Sequence, residues 1–215
     1  VPVLIEISNA NYVTYRIDPL SKKKNSSSIG MRKALAQMPW YLRIVFWLQL
    51  KHYGQVLDSA LYWAKSPRVF LALSWLFRSL DRKKSPLSPE LRSLIILAVS
   101  QLNACAFCQD LNQAIAVKRG MTQEKMQALA AWKSSKCFNA KEQLILAYVE
   151  AVTLGTGDLD AKLQAQMQQH YTLEQRVEIT ALIAFQNMST KFNNAFAIQA
   201  QGFCQLEGQS KSGAE

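Results

Sequence analysis

An all-α chain is what this sequence predicts, and three observations predict it. From Ile29 onward apolar residues recur at the helical period, and no run after residue 28 fits the strand period. Helix-start signals repeat along the chain: Ser66-Pro67, Ser88-Pro89-Glu90, Asn139-x-x-Glu142 and Thr172-x-x-Gln175. Glycine and proline number only 8 and 6 in 215 residues, and Gly54, Gly120, Gly155 and Gly157 fall between the helical stretches.

Residues 1–28 stand apart. Val1-Pro-Val-Leu-Ile-Glu-Ile and Tyr12-Val-Thr-Tyr-Arg-Ile carry β-branched and aromatic residues with partial alternation, followed by the polar linker Ser21-Lys-Lys-Lys-Asn-Ser-Ser-Ser28. They read as an extended arm, with a short strand at most. Residues 29–86 form an N-terminal helical region. Pro39 opens an almost wholly apolar helix, Gly54 breaks it, a shorter helix covers 55–65, and Ser66 caps one over 68–80. The charged connector Asp81-Arg-Lys-Lys-Ser-Pro-Leu is the expected boundary. Residues 87–200 form the core region. Its helices start after Ser88, at Cys105, after Thr122, after Asn139, near Asp160 and after Thr172, the last running to about Ile198. Residues 201–215 are a tail.

With 49% hydrophobic and 19% charged residues, the chain can bury a core, which excludes global disorder. No stretch of about 18 apolar residues occurs, so no transmembrane helix is expected. Val1-Pro-Val-Leu-Ile-Glu lacks the basic start of a targeting signal. Residues 1–100 hold 15 Lys/Arg and 5 Asp/Glu, so the whole net charge of +10 sits there, beside four of the five tryptophans. No groove-reading motif accompanies them, and no nucleic-acid partner is expected. An amphipathic layer with snorkelling Lys and Arg is the plain reading; peripheral contact with an anionic membrane is the other.

Four cysteines do not make a disulfide scaffold, and a reducing, cytoplasmic compartment fits them. Cys105 and Cys108 form a Cys-x-x-Cys where a helix begins, a place that favours thiolate. Three readings stay open for the pair: thiol redox chemistry, an inert pair, and half of a zinc site completed by Cys137 and Cys204. The last falls short of four ligands unless those two converge, so no metal and no cofactor is expected.

The order of motifs resembles the carboxymuconolactone decarboxylase/alkyl hydroperoxide reductase D-like (AhpD-like) family. The residues that carry it are Leu87-Ser-Pro-Glu-Leu-Arg-Ser-Leu-Ile-Ile-Leu-Ala-Val-Ser-Gln101, Cys105-Ala-Phe-Cys108-Gln-Asp-Leu-Asn112 and the Lys118-Arg-Gly turn. Ala140-Lys-Glu-Gln-Leu-Ile-Leu-Ala-Tyr-Val-Glu-Ala, Val177-Glu-Ile-Thr-Ala-Leu-Ile-Ala-Phe-Gln-Asn187 and Lys191-Phe-Asn-Asn194-Ala complete it. The resemblance implies a helical bundle assembling as a homotrimer or hexamer, and peroxide reduction by the cysteine pair. Cys108 would attack peroxide, Cys105 would resolve the sulfenic acid as a disulfide, and a thiol reductant partner would reset the pair.

The chain departs from that family at its proton relay. A glutamate is expected twelve residues before the first cysteine and a histidine four after the second; Ser93 and Asn112 stand there. Phe107, between the cysteines, supplies no proton. Glu90 is about one turn from Ser93, and Asp110 points away from Cys108 at a spacing of two. Asn112 can donate a hydrogen bond to a thiolate but cannot take its proton. Ser93 and Asn112 are therefore expected to line the site, with weakened or atypical peroxidase activity. Asn187, in an apolar stretch, either lines the pocket or makes a structural hydrogen bond. His52 and His170 lack the spacing of the missing histidine. A lactone decarboxylase reaction fits poorly, because Ser93 and Asn112 cannot act as general acid and base. The other class open to this chain is a non-catalytic oligomeric or binding protein that keeps the fold.

Overall fold

The computed structural model describes residues 38–204. The arm expected over 1–28 and the chain beyond 204 lie outside them. The chain divides into two compact units, Val1–Trp47 and Leu48–Glu215. The second unit holds all four cysteines and most of the described helices. Among the described residues the regular elements are all helices, as the periodicity predicts. No helix among them is long and apolar enough to cross a membrane.

Helix α1 (Trp40–Tyr53) contains the division between the units; α2 (Asp58–Trp63) and α3 (Pro67–Leu80) come next. Pro67 takes the first turn of α3 as expected, but the Ser66 hydroxyl makes no cap bond. Its backbone (φ −117°, ψ 87°) departs from the extended cap geometry of Ser88, Asn139 and Thr172.

Helix α4 (Pro89–Leu102) is the centre of the fold. Ser88 caps it by accepting from the Leu91 N–H at 3.2 Å, and nine consecutive residues, 92–100, are buried. A helix buried all round needs partners on every side. They are α5 (Ala106–Lys118), α7 (Ala140–Leu154) and α9 (Leu173–Ala195). Leu94, Ile95 and Val99 meet Ile145, Val149, Ile179 and Ile183 in one apolar core. Between these run α6 (Gln123–Ala128), a short 3-10 turn and α8 (Ala161–His170). Capping boxes at Asn139 and Thr172 start α7 and α9, as their spacing predicts. Gly155 ends α7 for a reason of space: a Cβ there would sit 2.4 Å from the Ala151 carbonyl oxygen.

The connector at 81–87 is tied to the core by charge. Asp81 accepts from Arg92 Nε at 3.0 Å through one oxygen and from Arg119 Nη2 at 2.6 Å through the other. Arg92 also donates to the Leu87 carbonyl at 2.7 Å. Arg82 pairs with Glu178, whose other oxygen accepts from Ser85 at 2.8 Å. Lys125 joins Glu90 and Glu142. Partial burial pulls the Lys125 pKa down, but its bonds to Glu142 and Glu90 outweigh burial and the net direction is up.

Three helices end in the same turn, with paired 6→1 and 5→2 backbone bonds around one left-handed residue. At the end of α5 that residue is Gly120 (φ 89°), as expected. At the ends of α4 and α9 it is alanine, Ala104 and Ala197, both at φ 49°. Helix α9 was expected to reach about Ile198; it stops at Ala195 because Ala197 turns the chain with no glycine to announce it.

Two sets of variants test these features by urea unfolding. Ala104→Gly and Ala197→Gly should each gain about 1 kcal/mol by relieving the left-handed alanine, and Gly120→Ala should lose about as much. Asp81→Ala leaves Arg92, 4% exposed, without its carboxylate. It should cost about 3 kcal/mol, against less than about 1 for Glu150→Ala at the exposed Lys133–Glu150 pair.

Candidate functional site

The Cys-x-x-Cys is built by the junction of α4 and α5. Cys105 closes the α4 turn, its N–H donating to the Ser100 carbonyl at 3.0 Å. It is also the N-cap of α5, its Sγ accepting from the Cys108 N–H at 3.3 Å. Cys108 thus lies in the first turn of α5, and the two sulfurs are joined as a disulfide with Cα atoms 5.3 Å apart. The helix start favours negative charge on either sulfur once the bond is reduced.

The pair is enclosed. Cys105 is 0% exposed and Cys108 2%. They pack with Phe107 and Ile198, and Leu57, Leu111, Phe192 and Phe203 complete the cover. A polar side chain enters this apolar shell. Asn193, on α9, donates from Nδ2 to Cys108 Sγ at 3.2 Å. Its Oδ1 accepts from the Ser59 hydroxyl on α2 at 2.6 Å, which fixes the amide orientation. Trp63 stacks on Phe192, ring centroids 3.6 Å apart, and holds α2 against α9 beside the pair.

Ser93 and Asn112 are brought together, and neither makes a hydrogen bond to Cys105 or Cys108. Both line a cavity about the size of one water, together with Asp81, Arg119, Phe77, Ile96 and Ile115. Ser93 accepts from Arg119 Nη1 at 3.4 Å. Asn112 donates to the Ser100 hydroxyl at 3.3 Å, and Gln186 donates to the same oxygen at 3.0 Å. Asn112 has the type to donate to a thiolate, but the hydrogen bond to Cys108 comes from Asn193. Tyr53 lies by this cluster: burial, then the Asp81 carboxylate, push its phenol pKa up, and Arg119 only partly offsets them.

The remaining sequence candidates fall elsewhere. Phe107 is buried against the sulfurs. Asn187 bonds Asn103 at 2.7 Å, Thr153 at 3.2 Å and the Ile183 carbonyl at 3.1 Å, which is its structural reading. Asp110 turns from the cysteines to the backbone of residues 201–204. His52 packs edge-on against Tyr53, and His170 ends α8. Cys137 points at Glu124, 3.8 Å away. Among the described residues no cluster of His, Cys, Asp or Glu could hold a metal ion. Sequence reasoning missed Asn193, Ser59, Ser100, Asp81 and Arg119. Asn193 carried a faint signal, as a polar residue directly after Phe192 and three before Phe196 in an aromatic stretch.

Several known proteins share this architecture. The model of the carboxymuconolactone decarboxylase family matches residues 65–151. The Escherichia coli (strain K12) protein YnjA is 36% identical over 172 residues, 80% of this chain and 94% of its own. The debrominase Bmp8 in its apo form has the same fold, with a TM-score of 0.67 at 24% identity over 76% of this chain and 88% of that one. An alkylhydroperoxidase AhpD core, a peroxidase-related protein from Ralstonia eutropha JMP134, has a TM-score of 0.68 at 21% identity over 75% and 85%. All-helical architecture, a Cys-x-x-Cys at the start of a core helix and a relative matched along nearly its whole length agree: the chain belongs to the carboxymuconolactone decarboxylase family, with an AhpD-like fold.

Proposed function

We propose that this protein is an alkylhydroperoxidase-like thiol redox protein with atypical peroxidase activity. The observation that carries the proposal is the Cys105–Cys108 disulfide at the start of α5, with Asn193 donating to Cys108 Sγ. In the reduced pair, Cys108 thiolate attacks the terminal peroxide oxygen and the O–O bond breaks. The alkoxide leaves, takes a proton and becomes the alcohol; Cys108 is now a sulfenic acid. Cys105 attacks that sulfur, water leaves and the disulfide forms. An external dithiol returns the two electrons by exchange.

The chemistry of the surroundings supports slow turnover. The α5 start and the Asn193 amide both stabilise a Cys108 thiolate, whereas the apolar cover raises a thiol pKa by desolvation. Ser93 and Asn112 accept no proton at neutral pH, so proton transfer falls to solvent. A homo-oligomer in a reducing, cytoplasmic compartment is part of the same proposal. Leu173 (68% exposed), Val177 (58%) and Met188 (41%) on α9 offer an apolar face for a second copy. The enclosure of both sulfurs favours a second reading, a non-catalytic member of the family.

The deciding experiment treats reduced protein with cumene hydroperoxide, then alkylates it after denaturation and weighs it. Cys105 and Cys108 should escape alkylation together while Cys137 and Cys204 are modified; four modified cysteines after excess peroxide would sink the redox reading. Asn193→Ala should slow Cys108 oxidation about tenfold, the equivalent of one hydrogen bond to a charged group, and shift the pH midpoint of Cys108 alkylation upward. No shift would remove Asn193 from the site.

A further inference from the structure

We propose that residues 196–204 form a clasp seated in the substrate site, with Phe203 occupying the place of an apolar, aromatic-sized substrate group and Asp110 acting as the latch. The inference rests on the thiol redox reading and names the kind of molecule that site takes. A nucleophile or a peroxide must reach a sulfur directly, yet Cys105 and Cys108 are 0% and 2% exposed. Part of the cover therefore leaves before any reaction.

The cover has fixed parts and one detachable part. Phe107 belongs to α5 itself. Phe192 is on α9, clamped by the Trp63 stack and by the Ser59–Asn193 bond next to it. Ile198 and Phe203 belong to the non-helical segment after α9, which departs at the left-handed Ala197. That segment's largest set of polar ties converges on one carboxylate, and Gln55 Nε2 also donates to the Gln201 carbonyl at 3.3 Å. Asp110 Oδ2 accepts from the N–H groups of Gln201 at 2.8 Å and Gly202 at 2.7 Å, and its Oδ1 from Cys204 at 2.9 Å. Gln201 adds a second tie: its Oε1 accepts from the Asp58 N–H at 2.8 Å and its Nε2 donates to the Val56 carbonyl at 3.1 Å. Three bonds on one carboxylate make a latch that releases as a unit, because losing Asp110 frees all three donors to water at once.

The shape of the vacated site is set by what Phe203 touches. Its ring stands edge-on to Phe107 (6.4 Å, 85°) and to Tyr53 (6.4 Å, 73°), and packs against the cysteine cluster. Withdrawing it leaves an aromatic slot between Phe107 and Tyr53 beside the disulfide. An aryl or other apolar group fills such a slot, and a small hydrophilic peroxide leaves it empty.

The test reads the rate at which the oxidised full-length protein is reduced, so it does not depend on peroxide turnover. A thiolate attacks one sulfur, the other leaves as thiolate, and a second thiol resolves the mixed disulfide. Asp110→Asn should accelerate reduction by dithiothreitol at least about tenfold, the change that one lost hydrogen bond to a charged acceptor makes to an opening equilibrium. Native-state alkylation of Cys204 should accelerate in parallel. Equal reduction rates in wild type and in a folded Asp110→Asn variant overturn the latch. If that variant does not fold, Gln201→Ala removes the second tie and carries the same test. For the slot, reduction of Phe203→Ala by benzyl mercaptan and by 2-mercaptoethanol is compared, each normalised to a free model disulfide. A preference for benzyl mercaptan supports the apolar site, and equal normalised rates overturn it. Loss of peroxide oxidation with these rates intact would refute the peroxidase reading and leave the clasp standing.

Discussion

The turn at residues 103–105 is the constraint on which the rest of the site depends. Helix α4 is buried over residues 92–100 and half-buried in its last turn, so most of its last carbonyls are satisfied by the chain itself. The turn does this with the N–H groups of Ala104 and Cys105, at the expense of a left-handed alanine. Once Ala104 takes that conformation, the next residue leaves in the direction that starts α5, and its side chain faces the first free N–H groups there. Cys105 caps the helix for this reason, and Cys108 lies at the spacing that brings a second sulfur back to it. Strain is kept at the point where the cysteine pair is set, as it often is at functional sites.

Helix α9 meets this junction with the same device. Its own end carries a left-handed alanine, and the 6→1 bond of that turn runs from the Ile198 N–H to the Asn193 carbonyl at 3.0 Å. The residue whose side chain bonds Cys108 is thereby fixed by its backbone as well, while Ser59 fixes its amide. Two helix ends, one from each side, hold the sulfur and its donor in register. The segment that leaves the second turn then covers both.

The sequence carried the helices well because their starts are local chemistry. Ser88, Asn139 and Thr172 each bond within their own first turn, so four consecutive residues suffice to read them. Ser66 shows the limit: its residue type fits a cap, but its backbone angles do not. The end of α9 escaped notice because nothing in Ala197 marks a left-handed residue. At the site, spacing alone located both sulfurs, since they share one turn. It could not locate their neighbours. Asn193 lies 85 residues from Cys108, and Asp81 lies 38 from Arg119. Helical period places Asn112 one turn beyond Cys108, but competition among donors decides what it bonds, and the Ser100 hydroxyl took it. Packing between helices, which no single stretch encodes, settled those choices.

The missing relay has been replaced by a structure of opposite character. Where a glutamate and a histidine would pass a proton, Ser93 and Asn112 share a cavity with a carboxylate whose two oxygens are both held by guanidinium groups. The summed charge of Asp81 with Arg92 and Arg119 is positive. A positive cluster lowers the energy of an anion nearby but moves no proton. On the proposed reading, a Cys108 thiolate is stabilised by the α5 start and the Asn193 amide, and its proton leaves through water. Water reaches a pair this buried only when its cover opens. On the proposed redox reading, proton transfer and substrate entry become one event, and the opening of the site bounds the rate.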